Sequence, residues 1–173
     1  MDLAHVRPAK VEDLETLPEM EVAAGSLFRE LDMDAVADDP APEPECFLRA
    51  HQRGHVLVAE AANCVVGFVL LNELDDALHV EQVAVVPTHG GQGIGRKLML
   101  AAEDVARCRG YRRMTLTTFR DVPFNGPFYK SMGWSAVSQA RLTPGLADVR
   151  RREAAAGLDR WPRIAMEKSV TSD

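Results

Sequence analysis

The apolar positions of this chain change period several times, and each change marks an element. Leu3, His5 and Arg7 alternate with Ala4, Val6 and Pro8, which predicts a short first strand ended by proline. From Val11 the apolar set Val11, Leu14, Leu17, Met20, Ala23, Ala24 and Leu27 follows helical spacing, with a kink or split expected at Pro18. The acidic, proline-bearing stretch Asp32–Pro44 reads as a surface loop, and Glu45–Arg53 as a short helix closed by Gly54. HVLVAE at 55–60 alternates as a half-buried strand does. Asn63 offers a turn, Cys64–Leu71 is a continuous apolar strand, Asp75 and Asp76 make a second turn, and Leu78–Val86 is the next strand. Three successive strands with short turns make an antiparallel meander.

After a glycine-rich loop, Ile94, Leu98, Ala101, Ala102, Val105 and Ala106 line one helical face, and Gly110 stands where a C-terminal cap belongs. Arg113–Thr118 is then a strand parallel to the one before the loop, because a strand, helix, strand unit is normally right-handed and parallel. A loop over Arg120–Gly126 leads to a short helix that starts at Pro127 and stops at Gly133. Trp134–Ser138 reads as a strand, Pro144–Gly157 as an exposed helix and Arg160–Ser169 as a final strand. One mixed α/β domain over residues 1–173 accounts for the pattern.

Composition narrows the chemistry. Hydrophobic residues make up 46% and charged residues 27% of 173 residues, the balance of an ordinary globular protein. A formal net charge of −6 disfavours nucleic acid and suits cationic or amine partners. Cys46, Cys64 and Cys108 lie far apart, which fits neither a metal site nor a disulfide framework and points to a reducing compartment. The opening MDLAHVRPAK lacks an apolar secretion core and no run approaches a membrane span, so the cytoplasm, with no membrane partner, is expected.

The stretch Val80–Leu98, VEQVAVVPTHGGQGIGRKL, carries the most specific signal. A strand feeds a loop bearing Gly90, Gly91, Gly93 and Gly95, and the loop opens a helix. Converging backbone N–H groups and the helix dipole make such a loop an anion cradle. A P-loop would need Lys-Ser/Thr after its last glycine, and Gly95-Arg96 does not supply it. A dinucleotide loop needs G-x-G-x-x-G near the start of a βαβ series. Here the third glycine comes one residue early, after an antiparallel meander.

V-A-V-V-P-x-H-x-G-x-G-I-G-R-x-L at 83–98, followed by a helix, a strand and N-G-P-F-Y-K-S-M-G-W at 125–134, resembles the GNAT superfamily of N-acetyltransferases. The resemblance implies a mixed, mostly antiparallel sheet of about seven strands with helices on both faces and parallel, splayed fourth and fifth strands. It implies acetyl-CoA as co-substrate, with pantetheine along Val83, Ala84 and Val85 and pyrophosphate on Gly91, Gln92, Gly93, Ile94, Gly95 and Arg96. Asn125 matches an asparagine that contacts the cofactor in many relatives. One departure is Gly90, which stands where relatives usually carry Arg or Gln, leaving Arg96 or Lys97 to supply charge.

For catalysis, the same resemblance makes Tyr129 the acid for the departing thiol, against the plainer reading of a core aromatic. Glu81, just ahead of the thioester-holding segment, is the expected base, with His79 sharing its face; Asp121 is a second carboxylate near the mouth. The resemblance also implies that Glu21, Phe28, Arg29 and the acidic 32–39 loop lie on the side that receives the acceptor amine, against the plainer reading of the loop as a solvated charge run. A homodimer is common among relatives. The alternative to an enzyme is a non-catalytic acyl-CoA sensor of the same fold.

Overall fold

The computed structural model describes residues 3–171. Seven strands form one sheet: β1 (His5–Pro8), β2 (Val56–Ala61), β3 (Cys64–Leu74), β4 (Ala77–Val85), β5 (Arg113–Phe119), β6 (Ser135–Val137) and β7 (Arg163–Ser169), in the order β1-β2-β3-β4-β5-β7-β6. Pairs β1–β2, β2–β3, β5–β7 and β6–β7 are antiparallel, and β4–β5 is parallel. The β4–β5 ladder consists of Leu78↔Met114, His79↔Thr115 and Val80↔Leu116. Among the described residues, six α-helices accompany the sheet: α1 (Leu17–Gly25), α2 (Asp34–Ala37), α3 (Pro44–Gln52), α4 (Ile94–Cys108), α5 (Gly126–Ser131) and α6 (Pro144–Ala155).

Two compact units divide the chain: Met1–Leu71 with Gln82–Ala102, and Asn72–Glu81 with Glu103–Asp173. In the first, Leu17, Met20, Phe47, Val56, Val58, Phe68 and Ala84 form a core, with Phe47 and Phe68 edge to face at 5.7 Å. Successive strand residues point to opposite faces. Phe68 meets α3, whereas a Cβ on its neighbour Gly67 would stand 3.3 Å from Leu98 of α4. Helices α3 and α4 therefore cover opposite faces of β3. Leu98, Met99, Ala102 and Ala106 are buried along α4, as its apolar period requires.

In the second unit, Val137, Leu146 and Ala165 form a smaller cluster under α6. The Asp75 carboxylate accepts the Gly145 N–H at 3.0 Å, so the β3–β4 turn caps the first turn of α6. At the start of α5, a side chain at Gly126 would collide with the Arg120 carbonyl oxygen. Gly126→Ala is expected to lower unfolding stability by about 2 kcal/mol, the cost of overpacking against backbone that has little freedom to move. Urea denaturation measures this, and an unchanged midpoint overturns the close approach.

The helical stretch from Val11 is split at Pro18, as expected: a 3₁₀ turn at Val11–Thr16 gives way to α1, whose first turn holds Pro18 where its missing N–H costs nothing, and a second 3₁₀ turn follows at Ser26–Leu31. Two expectations about the elements are corrected. Asp32–Pro44 is not wholly a surface loop: it contains α2 and buries Met33 and Ala37. Helix α6 is not merely an exposed element, since Leu146 is 1% exposed and Glu153 lies inside a polar cluster.

Candidate active site

The glycine loop is built from the end of β4. Pro87–His89 makes a 3₁₀ turn, closed by the Gly90 N–H donating to Pro87 O at 3.0 Å. That turn bears on the departure at position 90. A Cβ on Gly90 would stand 3.1 Å from Pro87 O, so a longer residue there requires the turn to shift. Gly91 and Gly93 have φ of +72° and +76°, the left-handed region glycine enters without strain, and a Cβ at either would meet nothing within 4 Å. Helix α4 begins at Ile94 with no acidic residue in its first turn, and Lys97 N–H closes on Gly93 O at 3.1 Å.

Charge at the loop is distributed unequally. Lys97 Nζ donates to Ala4 O at 2.9 Å, so its charge is committed to the β1 approach, whereas Arg96 is exposed. Of the strand residues ahead of the loop, Ala84 is buried in the core and Val83 and Val85 are half-buried. Gln92 and Gly95 lie on the same loop and first helical turn.

In the second unit, Tyr129 on α5 is 8% exposed and packs edge to face with Phe128 at 5.2 Å and Trp134 at 6.2 Å. Burial alone pushes its phenol up to about 12. Asn125 precedes α5 but does not cap it with its side chain; its Nδ2 donates to Phe124 O at 3.0 Å. Glu81 is exposed, one residue past the last β4–β5 pair, and accepts the Asn72 amide N–H at 3.2 Å. Asp121 is held by Arg120 through two N–H donors at 2.9 Å each, which lowers its pKa and occupies the carboxylate proposed to draw in an amine.

Behind Glu81 lies a polar cluster that the sequence reading did not assemble. His79 Nδ1 is 2.9 Å from Thr115 Oγ1, across the β4–β5 pair. Thr117 donates its hydroxyl to Glu153, whose carboxylate also accepts from Arg150 at 2.6 Å and Arg163 at 3.0 Å. Helix α6 thus clasps β5 and β7 through one carboxylate. Glu153 sits in an alternating-charge helix, which reads as solvent-facing until the partner strands are placed.

In the first unit, Glu21 on α1 has one carboxylate oxygen sealed from solvent without a partner. Burial, with Asp39 adding repulsion, pushes it up to about 7 from 4.5. The unfolded chain releases this proton near 4.5 and the folded chain keeps it to about 7. Stability therefore falls as pH rises through that window, by roughly 2–3 kcal/mol once partial solvent screening is allowed for. Glu21→Gln is expected to gain that much on wild type between pH 4 and pH 8 in urea titrations; a constant difference between the two pH values overturns the shift. Arg29, by contrast, is paired to Asp38 and Asp34 on the surface.

A model of the acetyltransferase (GNAT) family matches residues 23–134, and the chain belongs to that family. Mouse N-alpha-acetyltransferase 80 is 38% identical over 95 residues, covering 53% of this chain and 28% of that protein. Rat N-acetyltransferase 8F1 is 30% identical over 126 residues, covering 69% of this chain and 56% of that one. The chain thus spans between about a quarter and about half of the length of these curated relatives. The PaiA N-acetyltransferase of Thermoplasma acidophilum, solved in complex with coenzyme A, superposes with a TM-score of 0.71 at 18% identity, over 96% of this chain and 98% of that one. The likeness shows the fold: a GNAT-like α/β arrangement with parallel β4 and β5. Among the described residues, no helix is long and apolar enough to cross a membrane, and no group of three or more His, Cys, Asp or Glu is placed to hold a metal ion.

Proposed function

We propose that residues 1–173 act as one N-acetyltransferase domain that moves the acetyl group of acetyl-CoA to a primary amine of a small molecule, peptide or protein, in a ternary complex. The observation that carries this reading is the loop at the start of α4. Two glycines with left-handed backbone and open space above them precede a fifteen-residue helix free of acidic groups in its first turn. Such a cradle fits a pyrophosphate, bound by the N–H groups of Gly91–Gly95 with Arg96 as the exposed cation. Val83, Ala84 and Val85 hold pantetheine through backbone, so the buried Ala84 and the half-buried Val83 and Val85 side chains need not change. Free cysteines at 46, 64 and 108 suit a cytoplasmic setting.

An ammonium gives one proton to a base and becomes a neutral amine. Its nitrogen bonds to the thioester carbon, the C–S bond breaks, and the nitrogen's second proton ends on sulfur, releasing amide and free thiol. Glu81 accepts the first proton. Tyr129, whose phenol is held well above the thiol's ordinary value of about 8.5, donates a hydrogen bond to the departing sulfur while keeping its proton at rest.

Thermal unfolding with acetyl-CoA tests the reading. At about 100 times Kd, a ligand bound only to the folded state stabilises by about 2.7 kcal/mol, a rise of several degrees in Tm. No rise at saturating acetyl-CoA removes the proposal. A rise with no thiol released by any member of an amine panel instead supports the acyl-CoA sensor.

A further inference from the structure

The backbone at Asn125 lies outside both the helical and the extended regions, with φ of −119° and ψ of −109°. Two hydrogen bonds hold it there. Asn125 N–H donates to Val122 O at 2.9 Å, and Asn125 O accepts from Tyr129 N–H at 3.0 Å. In an L-residue, Cβ stands about 120° from the backbone nitrogen around the Cα–C bond. This ψ therefore turns Cβ of Asn125 to within roughly 10° of eclipsing the Gly126 nitrogen. In a helix the same torsion is about 80°, and in an antiparallel strand about 105° in the opposite sense.

Eclipsing puts the carboxamide carbon Cγ within ring-closing reach of that nitrogen. Cβ, Cγ, the Gly126 nitrogen and the two backbone carbons between them are the members of one five-membered ring. Three further features favour closure. Gly126 has no side chain to shield its nitrogen. Its N–H, at the first position of α5, donates to no acceptor among the described residues, so no hydrogen bond holds its proton. Asn125 Nδ2 donates to Phe124 O at 3.0 Å, which keeps the carboxamide from swinging away.

We propose that Asn125–Gly126 is a self-modification site, where Asn125 converts spontaneously to aspartate and isoaspartate through a cyclic imide, with water as the co-reactant. The Gly126 N–H gives its proton to solvent hydroxide, and the nitrogen bonds to Cγ. The Cγ–Nδ2 bond breaks, and ammonia departs with a proton from water. Water then opens the imide: attack at Cγ gives aspartate, and attack at the Asn125 backbone carbonyl carbon gives isoaspartate. One water enters, one ammonia leaves, and nothing is oxidised or reduced.

Either product places a carboxylate ahead of α5. Isoaspartate also adds one methylene to the chain directly before Gly126, where the Arg120 carbonyl leaves no room even for a Cβ. Helix α5, with Tyr129 on it, then has to shift. Under the acetyltransferase reading, on which this last consequence alone rests, conversion misplaces the Tyr129 hydroxyl and retires the molecule with age.

The full chain and a synthetic peptide of residues 121–130 are incubated side by side at pH 8 and one temperature. Trypsin, cutting after Arg120 and Lys130, releases the same segment from the chain. Its conversion is followed by mass and by isoaspartyl methyltransferase labelling. Conversion is expected to run roughly 3–10-fold faster in the folded chain than in the peptide, the gain from holding the ring-closing geometry. A rate in the folded chain equal to or below the peptide's overturns the proposal, because the fold then offers no prepared geometry. A folded Asn125→Gln chain is expected to lose the conversion, and persistence of it there places the reaction elsewhere and overturns the site. Converted chains, separated by their extra negative charge, are expected to melt at a lower Tm; an unchanged Tm overturns the shift of α5. Mass reads the conversion without acetyl-CoA, so its failure is distinct from failure of the acetyltransferase reading, which shows as no acetyl-CoA-induced Tm rise in the unconverted chain.

Discussion

Gly93→Asp is expected to abolish acetyl-CoA binding, with at least a 100-fold rise in Kd by calorimetry and loss of the acetyl-CoA-induced rise in Tm. Two effects add. Gly93 sits at φ +76°, where any Cβ is strained, although aspartate tolerates this region better than most residues. The larger effect is electrostatic. The substitution puts a carboxylate one residue before Ile94, at the positive end of α4, in the open space proposed to receive a doubly charged pyrophosphate. The unliganded fold changes little, because nothing lies within 4 Å of the added Cβ. Gly93→Ala separates the two effects: strain alone gives a loss of several-fold. If the Asp variant binds acetyl-CoA as the wild type does, the pyrophosphate does not rest on this loop.

Tyr129→Phe is expected to lower kcat roughly 10–100-fold while leaving the acetyl-CoA-induced Tm rise intact. The substitution removes one hydroxyl and keeps the ring against Phe128 and Trp134, so packing is preserved. The lost rate is that of one hydrogen-bond donor aimed at the charge that develops on sulfur. The raised phenol pKa sharpens the expectation. A proton held to about 12 is not released to a thiolate before the C–S bond breaks, so the basic limb of the pH profile should not follow the Tyr129 ionisation within the working range. Unchanged turnover makes Tyr129 a core aromatic and nothing more.

The meander through Asn63 and Asp75 was readable because both turns use residues that tolerate left-handed backbone, at φ of 60° and 54°. The amphipathic face of α4 was readable from its period, and the glycine spacing at 91, 93 and 95 from its context between a strand and a helix. The split at Pro18 was readable because proline cannot continue a helix already under way but can start one. Met33 and Ala37 were hidden because an acidic, proline-bearing stretch masks two buried side chains.

The sequence by itself determined what depends on near neighbours: the order of elements, the glycine-loop motif, and the family to which the chain belongs. Tertiary structure decided what each side chain does with its charge. Lys97, one of two candidates with Arg96 to supply charge at the loop, gives its ammonium to the carbonyl of Ala4, far away in the chain. Glu153 is a surface residue by pattern and a clasp on Thr117, Arg150 and Arg163 by structure. His79 is an ordinary strand residue until burial and Thr115, 2.9 Å from its Nδ1, set its surroundings. Backbone propensity and hydrophobic period are local quantities written into short windows of sequence. Desolvation and ion pairing depend on which distant groups fold against a residue, and no window contains them.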